Sequence, residues 1–394
     1  MSERFEGNFT QQEPISEDAI AAAVAVLRSG RLHRYNTASN EPGEVALLEQ
    51  EFAAFTGAKY CLAVASGGYA LGCALRALDV APNEPVLTNA FTLAPVPGAI
   101  AALGARPVFV EGTENLTIDL DDLTAKAKAS GARVLMLSHM RGHLCDMDAL
   151  MEIARAHDLR VIEDCAHTMG ASWAGVPSGR HGVIGCYSTQ TYKHINSGEG
   201  GLIVTDDPEL AARMILLSGS YMMYPRHLAA PAPEVFEALK YDTPNVSGRM
   251  DSLRAAILRP QLAELPERVA RWNRLYGAME AGLTGAPGVA LSERSQAEHY
   301  VGSSFQFRLP GRDGERMADF VARCAARGVE LKWFGADEPA GFTSRHDSWR
   351  YAEAQAMPKT DAVLATLLDL RLPLTFSESD AAQIARIIRD ELSG

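Results

Sequence analysis

The sequence predicts an α/β protein: a large domain on a mainly parallel seven-stranded sheet, followed by a smaller C-terminal α/β domain. Three observations carry this. Between Tyr60 and Asp206, seven short apolar runs alternate with helical patterns, as strands joined by crossover helices do. The chain has 394 residues, 47% of them hydrophobic, enough for a large buried core without metal or disulfide staples. Finally, Thr284-Gly285-Ala286-Pro287-Gly288 marks a boundary between a long helical pattern and a second, shorter α/β stretch.

In chain order, residues 1–40 read as an N-terminal arm, in which Arg31, His33, Arg34 and Tyr35 cluster. That cluster is either a solvated turn or a site for a substrate anion, with Arg31, Arg34 and Tyr35 as the contacts. Residues 41–250 form the large domain, with strands expected at Cys61–Ala65, Val86–Thr88, Pro107–Val110, Val134–Ser138, Val161–Glu163, Cys186–Ser188 and Leu202–Thr205. Met147–Ala156 is a helix, capped by Asp146, that crosses over to the strand before Asp164. The stretch Ser218–Gly248 holds Pro225, Pro231, Pro233 and Pro244; it is irregular, long enough to be functional, and expected to border the site. A long helix from about Met250 to Leu283 makes 251–284 a connector. In 285–394, Ser303–Leu309 and Val329–Trp333 alternate with helices Glu315–Arg327 and Ser379–Leu392.

The formal net charge of -12 offers no electrostatic footprint for nucleic acid or an anionic membrane. The N-terminus lacks a secretory signal's apolar core, and the six cysteines show no CxxC spacing, both expected of a cytoplasmic protein. Val86–Ala105 is uncharged but is broken by Asn89, Pro95, Pro97 and Gly98, so no transmembrane segment is expected. His139 and His143 are four apart without the Glu expected between zinc-binding histidines, and no metal site is assigned.

The chemistry concentrates on Lys193 and Asp164. Asp164 ends an apolar strand, at the sheet edge where open α/β sheets bind ligands. Lys193 lies in a loop after the next strand-like stretch, within Gln190-Thr191-Tyr192-Lys193. Alone, either residue is more often a helix cap or a surface cation. Together they suggest pyridoxal phosphate, which needs an amine to hold it covalently and a carboxylate to keep its ring nitrogen protonated. Ser66-Gly67-Gly68 closes a strand and opens a helix, where free amides and the dipole suit a phosphate, and Ser188 adds a hydroxyl. His167, three after Asp164, is placed to hydrogen-bond the cofactor's phenolic oxygen.

From about Gly43 onward the chain resembles the DegT/DnrJ/StrS family of sugar and cyclitol aminotransferases, of aspartate-aminotransferase fold (fold type I). The likeness rests on Gly43-Glu44-Val45 with Glu49 and Phe52, Ser66-Gly67, Gly104-Ala105-Arg106-Pro107-Val108-Phe109-Val110, Asp146-Met147-Asp148-Ala149, Glu163-Asp164-Cys165-Ala166-His167, Lys193 and Gly198-Glu199-Gly200-Gly201. It implies Lys193 as the Schiff-base lysine, Asp164 on the pyridine nitrogen, His167 where the family has Gln or His, and Ser66, Gly67 and Ser188 on the phosphate. The chain departs from the family in three places. Gly68 stands where the family has Thr, leaving only an amide. The aromatic that covers the cofactor ring aligns with Leu93, while Phe91 lies two residues earlier on what reads as the same strand face. The family's Asn-x-Arg-Met, whose Asn crosses a dimer interface, becomes Asn245-Val246-Ser247-Gly248-Arg249-Met250 with two extra residues.

The expected activity is amino transfer from glutamate or glutamine to a ketone of a sugar or related polyol. Lys193 favours this over dehydration, because relatives lacking the lysine are dehydratases. Gln190 and His167 resemble members acting on cyclitol ketones or making aminobenzoate-type rings. A non-catalytic regulatory protein that has kept the fold is the other reading. The resemblance also implies a homodimer.

Overall fold

A computed structural model describes residues 3–38 and 41–392; the outermost residues of the chain and the last two of the expected arm lie outside the described residues. The large sheet has seven strands: β1 (Tyr60–Val64), β2 (Pro85–Asn89), β3 (Arg106–Val110), β4 (Val134–Ser138), β5 (Arg160–Asp164), β6 (Ile184–Ser188) and β7 (Gly201–Thr205). Their order is β1-β7-β6-β5-β4-β2-β3, and β7 alone runs antiparallel to both its neighbours. All seven expected runs are strands, their ends shifted by a residue or two.

Alternate residues of the central strands enter different cores. Leu87, Leu135 and Val161 join the core beneath the long helix, whereas Val86, Val134 and Ile162 face the helix Gly67–Ala77. Burial on both faces is why these strands read as near-continuous apolar runs rather than alternating ones. Four parallel strands end at one edge in Asn89, Ser138, Asp164 and Ser188, which places polar side chains there together.

The helix Ser252–Leu283 carries Pro260 and Pro266 in its interior and connects to a four-stranded antiparallel sheet. That sheet contains Ser304–Arg308 paired with Leu367–Arg371, and Lys332–Trp333 on its far side. Of the expected strand Val329–Trp333 only the last two residues pair. The helices Gly314–Ala326 and Glu378–Glu391 complete the unit.

The N-terminal arm is part of this body. Its helix Glu17–Ser29 lies along Ser252–Leu283, and the Phe5 and Phe9 rings pack edge-on against Phe376 at 5.0 and 5.1 Å. Phe5 N–H donates to the Arg327 carbonyl, and Glu13 pairs with Arg271. The irregular stretch 218–248 holds a short helix, Pro233–Glu237, whose Phe236 stacks on Tyr224 at 4.2 Å.

Candidate active site

At the polar sheet edge a cavity of about 290 Å³ opens, lined by Lys193 and His167 with Leu93, Gln190, Arg141 and Arg371. The helix Ser252–Leu283 contributes Trp272, and the N-terminal arm contributes Phe9 and Gln12. The arm's part was not legible in the sequence, since Phe9 and Gln12 belong to no periodic pattern.

Below the cavity Asp164 is held from both oxygens. Ser138 Oγ donates to Oδ2 at 3.1 Å and the Ala166 N–H to Oδ1 at 3.2 Å, while Thr92 Oγ1 donates to Ser138 Oγ at 2.8 Å. Ser138 is the direct parallel partner of Asp164 across β4 and β5, which is why its hydroxyl reaches the carboxylate. Burial raises the carboxyl's pKa, and the Ala166 amide, the Lys193 charge and Ser138 oppose it only in part. A cationic ring nitrogen above Asp164 would supply the missing counter-charge.

Lys193 Nζ lies 2.8 Å from His167 Nε2. His167 Nδ1 accepts the Arg141 N–H at 3.1 Å, so a neutral imidazole carries its proton on Nε2 and donates it to the amine. This arrangement requires an unprotonated Lys193. Burial lowers the lysine's pKa to about 8, with Arg141 and Arg371 adding to the effect and Asp164 opposing it. Burial first, then the charges of Lys193 and Arg141, push His167 well below the ordinary histidine value.

Across the edge from Asp164, Ser66 caps the helix Gly67–Ala77 by accepting the Tyr69 N–H at 3.0 Å. The Gly67 and Gly68 amides are then the helix's free N-terminal donors. A Cβ on Gly67 would lie 2.8 Å from the Ser188 Cβ, so only glycine lets the hydroxyl of β6 sit against this helix start. A Cβ on Gly68 would meet nothing closer than 3.8 Å. Amides, helix dipole and a serine hydroxyl at one point fit a phosphate, so the residues present suit pyridoxal phosphate at both ends.

Several expectations change. Phe91 and Leu93 share no strand face: β2 stops at Asn89, Phe91 is buried against Phe334 at 5.0 Å, and Leu93 lines the cavity. The Arg31–Tyr35 cluster does not line the cavity in its own chain. Arg34 is buried, with both terminal nitrogens on Glu49 at 2.9 Å and one on His227 Nδ1 at 3.0 Å, while the Tyr35 hydroxyl reaches His227 Nε2 at 2.8 Å. Arg31 is exposed. Asn245 is exposed too, and its carbonyl accepts from the Ser247 amide and hydroxyl, a turn contact away from this chain's own cavity. No residue of 218–248 lines the cavity either; the segment meets its own chain's site only at the phosphate end, where Gly248 accepts the Ala65 N–H at 2.8 Å.

His139 and His143 diverge, to Glu163 and Gln306 respectively. His139, Glu163 and Cys165 do sit close enough to share an ion. Glu163, however, already takes the Gly179, His181 and Gly182 amides as well as His139, so its lone pairs bind the fold.

Known proteins share this plan. A transaminase of Streptomyces venezuelae, dTDP-3-amino-3,4,6-trideoxy-alpha-D-glucose transaminase, is 32% identical over 81% of this chain and 78% of its own length. The 3-amino-5-hydroxybenzoate synthase of Amycolatopsis mediterranei is 33% identical over 73% of this chain and 72% of its own. The crystal structure of a 3-amino-5-hydroxybenzoic acid synthase superposes with a TM-score of 0.82 at 27% identity, covering 98% of this chain and 99% of that one. The model of the DegT/DnrJ/EryC1/StrS aminotransferase family matches residues 13–389. A match of that extent takes in the lysine, the carboxylate and the residues assigned to the phosphate; the chain belongs to this family and is a pyridoxal phosphate-dependent aminotransferase.

Proposed function

We propose that the enzyme moves an amino group from glutamate or glutamine to a ketone of a nucleotide-linked sugar or of a related polyol. The observation that carries this is the Lys193 amine 2.8 Å from His167 Nε2, both lining one cavity, with the buried Asp164 carboxylate close enough to act on the amine's charge. Bound pyridoxal phosphate supplies a protonated ring that takes up negative charge from the substrate carbon. Asp164, aligned by Ser138 and Ala166, keeps that ring nitrogen protonated. Lys193 would hold the cofactor covalently and, once freed by the amino donor, would act as the base and acid that moves a proton at the substrate carbon. His167 fixes the amine's position, at 2.8 Å, and would hydrogen-bond the cofactor's phenolic oxygen. Ser66, Gly67, Gly68 and Ser188 would hold the phosphate, and Leu93 would cover the ring.

In this reading residues 41–250 hold the cofactor and 285–394, reached through 251–284, close the cavity with the arm. Two copies form the working unit, with Asn245 reaching the partner's phosphate site. Six buried, unpaired cysteines fit a cytoplasmic setting. The test is single-turnover amino transfer from glutamate followed by a panel of keto acceptors. Wild type should form amine product, while Lys193→Ala should neither hold the cofactor covalently nor turn over. A protein that binds cofactor but leaves every ketone unchanged would instead be the regulatory alternative.

A further inference from the structure

The cavity above Lys193 is more cationic than amino transfer to a neutral ketone needs. Arg371 ends the strand Leu367–Arg371, lines the cavity, and lies over the Tyr192 ring at 3.8 Å. Among the described residues it has no ion-pair partner. Arg141 lines the same cavity, buried, with one carboxylate partner, Asp369 at 2.7 Å, and with an Nε that has no partner. Its backbone is in the left-handed region, φ 57°, a conformation that costs a non-glycine residue energy and persists only where surroundings impose it. Those surroundings are visible. Its N–H is fixed on His167, and Asp369 is itself fixed by Gln306 Nε2 at 2.7 Å, with Gln306 held by His143 at 2.8 Å. Lys332, outside this cavity, lies over the Phe342 ring that Arg141 also faces. Two guanidiniums lining this cavity therefore share one ion-pair carboxylate, in a site that burial makes unfavourable for unpaired charge.

We propose that Arg371, backed by Arg141, is an anion site that takes a carboxylate of the substrate close to the carbon that reacts over Lys193. A cavity of about 290 Å³ is small enough that a ligand touching the amine also meets the guanidinium. Arginine's planar fork pairs two-to-two with a carboxylate, and Tyr192 fixes the plane in which it is offered. A sugar nucleotide would carry its phosphates well away from its ketone, whereas a carboxylate one or two bonds from the reacting carbon stays inside this cavity. Two molecules supply that chemistry: the amino donor, and an acceptor that is itself a ring acid. The inference deepens the amino-transfer reading and rests on it for the term substrate.

The test uses the cofactor-loaded enzyme and begins with binding rather than turnover. Succinate affinity by calorimetry should fall by about tenfold or more in Arg371→Ala and recover in part in Arg371→Lys, with the cofactor still bound in both. Two kinetic arms then identify the source. In the donor arm, single turnover with L-glutamate is compared with its α-amide. In the acceptor arm, the amine-loaded enzyme is given 3-oxocyclohexanecarboxylate or uncharged cyclohexanone. Loss of acid preference in the Arg371→Ala donor arm assigns the site to the donor, and loss in the acceptor arm assigns it to the acceptor. Unaltered succinate binding in Arg371→Ala, or none in wild type, overturns the proposal. Succinate binding that depends on Arg371 in an enzyme that transfers no amine would leave the anion site standing and remove the amino-transfer reading.

Discussion

Lys193 shows how a single residue's chemistry depends on what buries it. An exposed lysine is protonated at neutral pH, but here desolvation first, then Arg141 and Arg371, bring it to about 8, against the pull of Asp164. The amine is the reactive form, so covalent capture of pyridoxal phosphate by cofactor-free protein should speed up as pH rises and level off above about 9. The signs of the neighbours give the sharper expectation. Removing a like charge in Arg371→Ala should move the midpoint up, and removing the opposite charge in Asp164→Asn should move it down. Stopped-flow absorbance across pH 6 to 10 reads both, and shifts in the reverse directions would show that other groups set the amine's protonation. Ser138 belongs to this scale as well. Nothing in its local sequence singles it out, because its role comes from lying opposite Asp164 in the sheet.

Elements were legible in proportion to how strongly burial dictates their composition. The seven strands of the large sheet, buried on both faces, announce themselves by apolar runs. The expected strand Val329–Trp333 shrinks to Lys332–Trp333, with intermediate burial and one pairing neighbour, and Leu367–Arg371, though buried, is not expected because its short run is broken by Asp369. The Arg31–Tyr35 segment was ambiguous for a physical reason: arginine and tyrosine serve equally in an anion site and in a buried polar lock, and only the partners tell which. The partners are Glu49, at the heart of the helix Glu44–Thr56, and His227, from the irregular stretch, so this lock ties three elements together. Burial alone would raise Glu49, yet Arg34 and His227 hold it at about 2, below its ordinary 4.5. A depressed carboxylate contributes stability that is complete above about pH 4.5 and is lost as pH falls through about 2. Arg34→Ala should therefore cost about 3–5 kcal/mol at pH 7, and less in acid, where Glu49 takes up a proton. Urea unfolding at pH 7 and pH 4 measures this. Both half-reactions should fall only as far as the folded fraction does; a selective rise in acceptor KM in a fully stable variant would return Arg34 to substrate recognition.

At the scale of the whole molecule, the chain leaves its irregular stretch with an apolar outer face. Tyr241 is 82% exposed and Met222 56%, and Tyr221, Leu228 and Val246 are exposed beside them in sequence. Isolated surface apolar groups are ordinary, but five within one proline-rich segment are more than a solvated loop carries. The same segment positions Asn245 and Arg249 around Gly219, outside the cavity of its own chain, and Gly248 accepts the Ala65 N–H just before Ser66. The segment is thus anchored to the phosphate end of its own site while its tip faces outward, the geometry expected if two copies face each other across a two-fold axis and each tip reaches the other's site. We expect a homodimer by light scattering at micromolar concentration. Tyr221→Asp combined with Met222→Asp should put charge into that face and dissociate it, because unpaired carboxylates buried in an apolar interface cost more than the contacts return. Amino transfer and cofactor retention should fall together with the dimer fraction, and Asn245→Ala should weaken cofactor retention in a protein that remains dimeric. Monomers that hold the cofactor and turn over at the wild-type rate would mean that each chain completes its own site, and that the outward face of 218–248 serves something other than the second copy.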